Sequence, residues 1–133
     1  MRGMKIDAEG FVDEAVQIAS PNCDERPPEA VISLLVIHGI SLPPGQFGTS
    51  AVRALFTNTL NSGDHPCFAE LAGLRVSSHF FIRRDGQLLQ FVPCRLRAWH
   101  AGVSSWKGRA KCNDFSVGIE LEGTDFQPYE RAQ

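Results

Sequence analysis

The feature that most constrains this chain is an apolar run that ends at a histidine. Residues 32–37 are apolar except for Ser33, and most of their side chains are branched. A run of this length and composition predicts a strand that is covered on both faces of a sheet. Such a strand normally ends in an apolar residue or a turn former. This one ends at His38, whose side chain can ligate a metal.

A second apolar run carries a glutamate in its interior. Residues 117–121 are apolar or glycine apart from Glu120. A carboxylate in a buried strand is costly unless it is paired, hydrogen-bonded or facing a cleft. Polar groups at the end of one buried strand and inside another predict an active site at the edge of a sheet.

Length and composition indicate one globular domain. The chain has 133 residues, of which 43% are hydrophobic and 21% are charged, and its net charge of −2 does not indicate a nucleic-acid-binding protein. Residues 75–111, however, hold eight Lys or Arg residues and one acidic residue. This basic segment is either a solvated surface or a cleft wall that selects an anionic ligand.

The cysteines indicate a reducing compartment. Cys23, Cys67, Cys94 and Cys112 form no C-x-x-C pair, and the sequence shows neither a signal peptide nor an apolar run of transmembrane length. We therefore expect free thiols and a cytoplasmic location.

The remaining pattern predicts a small set of further elements. Asp85-Gly86 between apolar runs at 76–82 and 87–92 predicts a tight hairpin whose two central residues both take positive φ. Proline and glycine in residues 39–49 predict a long loop directly after His38. Weaker patterns favour a strand within 10–18 and short helices near 50–58, capped by Ser50, and near 66–72.

The other histidines support less definite interpretations. His65 lies in a polar loop and is expected to be solvated, whereas His79 lies within a strand and is expected to be a hydrogen-bonded core residue. His100 follows Trp99, and this pair either lines a cleft or fills a gap in the surface. No local spacing typical of a metal site and no G-x-S-x-G elbow occurs in the sequence. Nothing specific supports a cysteine nucleophile.

Several long motifs, in order and with their spacings kept, resemble one family. The chain is similar to the cytoplasmic 1,6-anhydro-N-acetylmuramyl-L-alanine amidases of the AmpD type, and more broadly to the zinc amidases related to phage lysozyme-amidases and peptidoglycan recognition proteins. The resemblance extends from about residue 10 to the last residue. Its motifs are residues 34–38, 40–48, 75–79, 83–86, 97–102 and 112–125.

The resemblance implies an α+β fold and a set of site residues. The expected architecture is a central mixed β-sheet flanked by helices, forming a single amidase domain over residues 1–133. His38 matches the first zinc ligand of the family, and Glu120 matches the acidic residue that activates the zinc-bound water. Arg75, Trp99 and Lys111 match positions near the groove, where they would hold peptide carboxylates or the sugar.

The implied reaction is zinc-dependent hydrolysis of the amide bond between the muramyl lactyl group and L-alanine, in cell-wall recycling. Family members continue through a long helix to a second ligand histidine, a lysine and a ligand carboxylate, so we expect only one of the zinc ligands, and neither the C-terminal helix nor the last loop, within these 133 residues. The alternatives are a non-catalytic muropeptide-binding module and an inactive truncated product. The absent helix also predicts self-association through an uncovered sheet face.

Overall fold

The computed structural model describes residues 3–133; Met1 and Arg2, which the predicted domain includes, lie outside the described residues. Most of the described chain is loop, and its regular elements are short. In chain order they are β1 (Val16–Gln17), β2 (Cys23–Asp24), β3 (Leu34–Ile40), α1 (Ala51–Phe56), a 3-10 turn (Pro66–Phe68), β4 (Phe80–Ile82), β5 (Leu88–Gln90), β6 (Arg97–Ala98), β7 (Ser105–Trp106), β8 (Arg109–Ala110), a second 3-10 turn (Cys112–Phe115) and β9 (Ser116–Glu122).

Five of these strands form one mixed sheet, as predicted. Its order is β1-β5-β4-β9-β3, in which β9 pairs in parallel with both β3 and β4. Strands β4 and β5 form the antiparallel hairpin, and β1 adds to β5 in parallel. The strands β2 and β6, and likewise β7 and β8, form separate two-stranded ribbons. The predicted strands near 31–38, 76–83, 87–92 and 116–122 are therefore present in one sheet, the first three with shifted or shorter bounds.

The hairpin differs from the prediction in its turn geometry. The amide of Gly86 donates to Arg83 O at 2.9 Å, and the amide of Arg83 donates to Gln87 O at 3.0 Å. Gly86 has a φ of 87°, whereas Asp85 is absent from the positive-φ residues among those described. The expectation of two central residues with positive φ is therefore wrong. The three-residue loop needs the left-handed conformation only at its last position, which the glycine supplies.

Strand β3 corrects the expectation that this run is covered on both faces and ends at His38. It continues to Ile40, and its side chains alternate between half-buried and exposed. Leu35 and Ile37 are 55% and 59% exposed to solvent. The physical reason is that Leu35 and Ile37 lie on the face of the sheet opposite the core, whereas Ile40 packs against the core from the other face.

No described helix is long and apolar enough to cross a membrane.

The core lies on the face of the sheet that carries α1. Val52, Leu55 and Phe56 are buried there, and the Phe56 ring meets the edge of Phe91 at a centroid distance of 5.1 Å. The predicted helix at 50–58 is shorter than expected, although Ser50 is its N-cap residue; the Ser50 side chain makes no capping bond. The piece expected at 66–72 is a single 3-10 turn followed by irregular turns.

A buried carboxylate fastens the loop after β3 to the hairpin. Glu122, the last residue of β9, is 3% exposed. It accepts hydrogen bonds from the amides of Gly48 and Arg84 at 3.0 and 3.1 Å, and it pairs with the Arg83 guanidinium at 3.2 Å. Every one of these bonds joins segments that are far apart in sequence, so Glu122 fixes the loop after β3 against the β4–β5 hairpin.

We predict that Glu122→Ala lowers the free energy of unfolding by about 3 kcal/mol, because it leaves the partly buried Arg83 guanidinium and two amides without their acceptor. Urea denaturation monitored by circular dichroism measures this change. The matched control is Glu130→Ala, which removes an exposed ion pair with Arg84 and should cost less than about 1 kcal/mol. Equal losses in the two variants would contradict the assignment.

Candidate active site

His38 and Glu120 meet across the two strands that carry them. They are register partners in the parallel pair β3–β9, so their side chains leave the same face of the sheet from strands about 5 Å apart. The two residues therefore lie on neighbouring strands and on the same face of the sheet. Glu120 is 8% exposed, and its Oε2 has no hydrogen-bond partner among the described residues.

The polar side of β9 explains why this carboxylate stands out. Along the strand, Ser116, Gly118, Glu120 and Glu122 are buried, while the residues between them are half-buried. The Glu122 carboxylate is occupied by the loop and the hairpin, and Ser116 hydrogen-bonds to a histidine ring. Glu120 is thus the member of this row with a free acceptor atom.

Burial changes the protonation of Glu120. It raises the pKa of this carboxyl from 4.5 to about 7, because the charged form loses its hydration without gaining a partner. A carboxyl group with a pKa near neutrality can accept a proton in one step of a reaction and return it in another.

The third side chain at this site is His100. The sequence allows it either to line a cleft or to fill a gap in the surface. Its Nδ1 lies 3.1 Å from Nε2 of His38, and the two rings meet edge to face with centroids 5.3 Å apart. The ring lies against the backbone of β9 at Gly118. A glycine inside a buried strand is the one sequence signal that could have indicated this close approach.

The two histidines are held as neutral imidazoles. Burial lowers the pKa of His38 and, together with the neighbouring histidines and Arg26, lowers the pKa of His100 to about 3. A neutral imidazole is the form that ligates a metal.

His79 is the hydrogen-bonded core histidine that the sequence predicts. It is fully buried, accepts from the amide of Gly118 through Nδ1 at 3.0 Å, and has its Nε2 at 2.9 Å from Leu96 O. Burial lowers its pKa to about 4. Both ring nitrogens are therefore occupied by backbone groups, which leaves His79 a structural role.

Comparison with known proteins identifies the family to which this site belongs. Residues 27–133 match the model of the N-acetylmuramoyl-L-alanine amidase family. The 1,6-anhydro-N-acetylmuramyl-L-alanine amidase AmpD of Citrobacter freundii is 58% identical over 125 residues, which are 94% of this chain and 67% of that protein. The chain belongs to the N-acetylmuramoyl-L-alanine amidase family.

Other relatives give the same result. AmpD of Escherichia coli strain K12 is 55% identical over 94% of this chain and 68% of that protein. A crystal structure of a selenomethionine AmpD derivative superposes with a TM-score of 0.95 at 57% identity, covering 98% of this chain and 72% of the other. The α+β amidase fold and membership of an amide hydrolase family are thereby confirmed. The chain spans about two thirds of the length of the relatives from Citrobacter and Escherichia.

The residues that the amidase resemblance assigns to substrate lie outside this polar cluster. Arg75 and Lys111 are exposed, and Trp99 is half-buried beside His100. Within residues 3–133, neither Arg75 nor Lys111 makes a side-chain hydrogen bond to His38 or Glu120.

Half of the basic residues in this segment form ion pairs, which neither interpretation of the sequence included. Arg83, Arg84, Arg95 and Arg97 pair with carboxylates, and Arg97 pairs with both Asp24, at 2.6 Å, and Asp114. These four guanidinium groups are therefore already paired within the fold. The basic residues left for an anionic ligand are those outside this set, including Arg75 and Lys111.

The potential ligands among the described residues can be compared with those that a catalytic zinc ion needs. Among residues 3–133, no group of three or more His, Cys, Asp or Glu side chains is arranged to hold a metal. His38 offers one neutral imidazole, and Glu120 offers a buried carboxylate oxygen without a partner. The described residues therefore fit one ligand and the neighbouring base of a catalytic zinc centre, whereas three protein ligands are typical.

We predict a specific pH dependence of stability from Glu120. Its pKa is raised in the folded protein, so between about pH 4.5 and pH 7 the folded state binds a proton that the unfolded chain releases. The contribution of Glu120 to the free energy of unfolding must therefore fall as the pH rises through this window, by up to about 3 kcal/mol. Glu120→Gln removes this loss and should be more stable than the wild type at pH 8.

Urea denaturation of both proteins from pH 4 to pH 8 measures the effect. All other side chains are the same in both proteins, so the difference between the two curves isolates Glu120. A difference that is constant across this range would contradict the assignment, and exposed Glu70→Gln is the matched control.

Proposed function

We propose that this chain hydrolyses the amide bond between the lactyl group of N-acetylanhydromuramic acid and L-alanine in muropeptides, as a step of cell-wall recycling. The observation that carries the proposal is the buried carboxylate of Glu120, which has an unpaired Oε2 and lies next to His38 across β3 and β9. Membership of the amidase family supports the reaction class, and the names of the AmpD relatives support the substrate.

In this proposal Glu120 is the proton carrier of the reaction. With its pKa near 7, the ionised carboxylate takes a proton from the attacking water and passes it to the amine of the departing alanine. Removing water from the groove makes an uncompensated carboxylate a stronger proton acceptor. Its surroundings within β9 and the neighbouring strands give it no other hydrogen-bond partner that would compete for Oε2.

We further propose that His38 is one ligand of a catalytic zinc ion. The neutral state of its imidazole supports this role, and Glu120 is its strand neighbour. When bound, zinc lowers the pKa of its water towards about 7 and polarises the scissile carbonyl. The other ligands are not among the residues grouped at this site in the described structure.

The substrate is proposed to bind through Arg75, Lys111 and Trp99. Arg75 and Lys111 are exposed cations and can pair with the carboxylates of the peptide stem. The half-buried Trp99 offers an apolar aromatic ring on which a sugar can pack. The cytoplasm is the compartment we propose, because all four cysteines are free thiols.

We predict that Glu120→Gln lowers kcat by about 10²- to 10⁴-fold, because the isosteric amide cannot accept the proton. The measurement is release of tripeptide from anhydromuramyl-tripeptide by the purified chain with added Zn²⁺. Exposed Glu70→Gln is the control. Turnover that survives Glu120→Gln would contradict the proposed role.

A second candidate is a muropeptide-binding module without catalysis. The observation in its favour is that no group of three potential metal ligands forms within residues 3–133. Isothermal titration of the wild type with anhydromuramyl-tripeptide separates the two: binding without any zinc-dependent turnover favours the module, and turnover excludes it.

We also propose that the chain associates with a second copy of itself through β3. This strand is an edge of the sheet, and Leu35 and Ile37 on it are 55% and 59% exposed. An edge strand with open backbone groups and an apolar face is a template for pairing with another chain. Two copies can each supply the same edge, which makes the contact self-complementary.

We predict that Ile37→Lys lowers the fraction of dimer or larger species, because a charge on an edge strand opposes pairing. Sedimentation velocity over a range of concentrations measures this. Val103→Lys, at a fully exposed apolar residue away from the sheet, is the control. A wild type that remains monomeric at high concentration would contradict the proposal.

A further inference from the structure

The ring of His100 is held in one orientation by groups around it. The Asn113 Oδ1 accepts from the backbone amides of His100 and Ala101 at 3.2 and 3.0 Å. A Cβ at Gly118 would lie 2.5 Å from Cγ of His100, so the ring packs directly on the backbone of β9. The backbone and one face of the ring are therefore both fixed by residues of the fold.

The two ring nitrogens of His100 face two different side chains. Its Nε2 lies 3.0 Å from the Ser116 hydroxyl, and its Nδ1 lies 3.1 Å from Nε2 of His38. His79 differs, because its Nδ1 accepts from the Gly118 amide and its Nε2 lies near Leu96 O and the Arg26 guanidinium, so neither nitrogen bonds to His38. His100 is thus the histidine whose ring connects the strand interior to the side chain of His38.

A neutral imidazole has one N–H donor and one acceptor, so only two arrangements of protons fit these contacts. In the first, His38 Nε2–H donates to His100 Nδ1, and His100 Nε2–H donates to Ser116. In the second, the Ser116 hydroxyl donates to His100 Nε2, and His100 Nδ1–H donates to His38 Nε2. The serine hydroxyl can serve in both, since it is a donor and an acceptor.

The two arrangements differ in what they leave on His38. In the first, its Nδ1 carries the free lone pair and makes no hydrogen bond to any residue from 3 to 133. In the second, the lone pair of His38 is on Nε2 and is occupied by the bond to His100, so no nitrogen remains to ligate a metal.

We propose that His100 is a positioning residue that accepts the Nε2–H of His38 and so fixes His38 in the tautomer whose Nδ1 lone pair is free to ligate a metal. Ser116 completes the chain as acceptor of the His100 Nε2–H. The purpose of this arrangement rests on the proposed function, in which His38 is a zinc ligand, but the arrangement itself is a property of the metal-free protein.

Nuclear magnetic resonance of the metal-free, ¹⁵N-labelled protein tests the proton positions directly. We expect one proton bonded to Nε2 of His38, with a scalar coupling through the hydrogen bond to Nδ1 of His100, and a second proton on Nε2 of His100. A proton found on Nδ1 of His100, or the absence of coupling between the two rings, would overturn the proposal.

Two variants separate positioning from packing. Asparagine places its amide oxygen near the position of a histidine Nδ1, whereas glutamine places its polar atoms near the position of Nε2. We expect His38 to keep its Nε2–H tautomer in His100→Asn and to populate both tautomers in His100→Gln. The same mixture of tautomers in both variants, or the wild-type state in both, would overturn the proposal.

Zinc affinity gives a second readout, compared between two variants that both remove the ring of His100. Loss of the orienting bond in His100→Gln should weaken Zn²⁺ binding by about 10- to 100-fold relative to His100→Asn, measured by competition with a chromophoric chelator. Unchanged affinity would overturn the proposal. Failure of the proposed function would appear as zinc binding or turnover that does not depend on His38. The tautomer of His38 is measured in the metal-free protein, so that test requires neither zinc binding nor turnover.

Discussion

The parallel pairing of β3 with β9 is the interaction on which the site depends. It makes His38 and Glu120 register partners and also fixes which face of each strand meets the core. A slip of one residue would turn either side chain to the opposite face of the sheet. The register is secured at the far end of β9 by Glu122, whose buried carboxylate binds both the loop after β3 and the β4–β5 hairpin. The site geometry is therefore set by a structural carboxylate two residues away from the chemical one.

Glu120 and Glu122 show how neighbouring carboxylates on one strand face acquire different properties. Glu122 is surrounded by donors, including two backbone amides and a guanidinium. Glu120 is buried to a similar degree but has an oxygen without any donor in the described structure, and burial alone raises its pKa. A protein that needed only stability would place an apolar residue or a paired group there. The proposed role of Glu120 in proton transfer would account for the cost of this unpaired carboxylate.

The sequence predicts those parts of the molecule that local chemistry determines. Apolar periodicity locates β3, β4, β5 and β9, and Asp85-Gly86 locates the hairpin. Adjacency of His38 and Glu120 followed from the family resemblance, because they are far apart in the chain and no spacing relates them. The apolar run itself did not predict the exposure of Leu35 and Ile37, since such a run does not show which face of the sheet stays uncovered. His100 was left undecided because every contact that defines it joins it to another segment.

Gly118 contacts both His79, the buried core histidine, and His100, the histidine beside His38. On one side its amide donates to Nδ1 of His79, the buried core histidine. On the other, its missing side chain admits the ring of His100. Glycine weakens a strand because it has no side chain to pack, yet here the vacated space is filled by an imidazole that contacts His38. The packing of the His100 ring, which hydrogen-bonds to His38, offsets the conformational cost of Gly118 in β9. The register of β3 with β9 thus positions Glu120 beside His38. Gly118 of the same strand β9 leaves room for the ring of His100, which contacts His38.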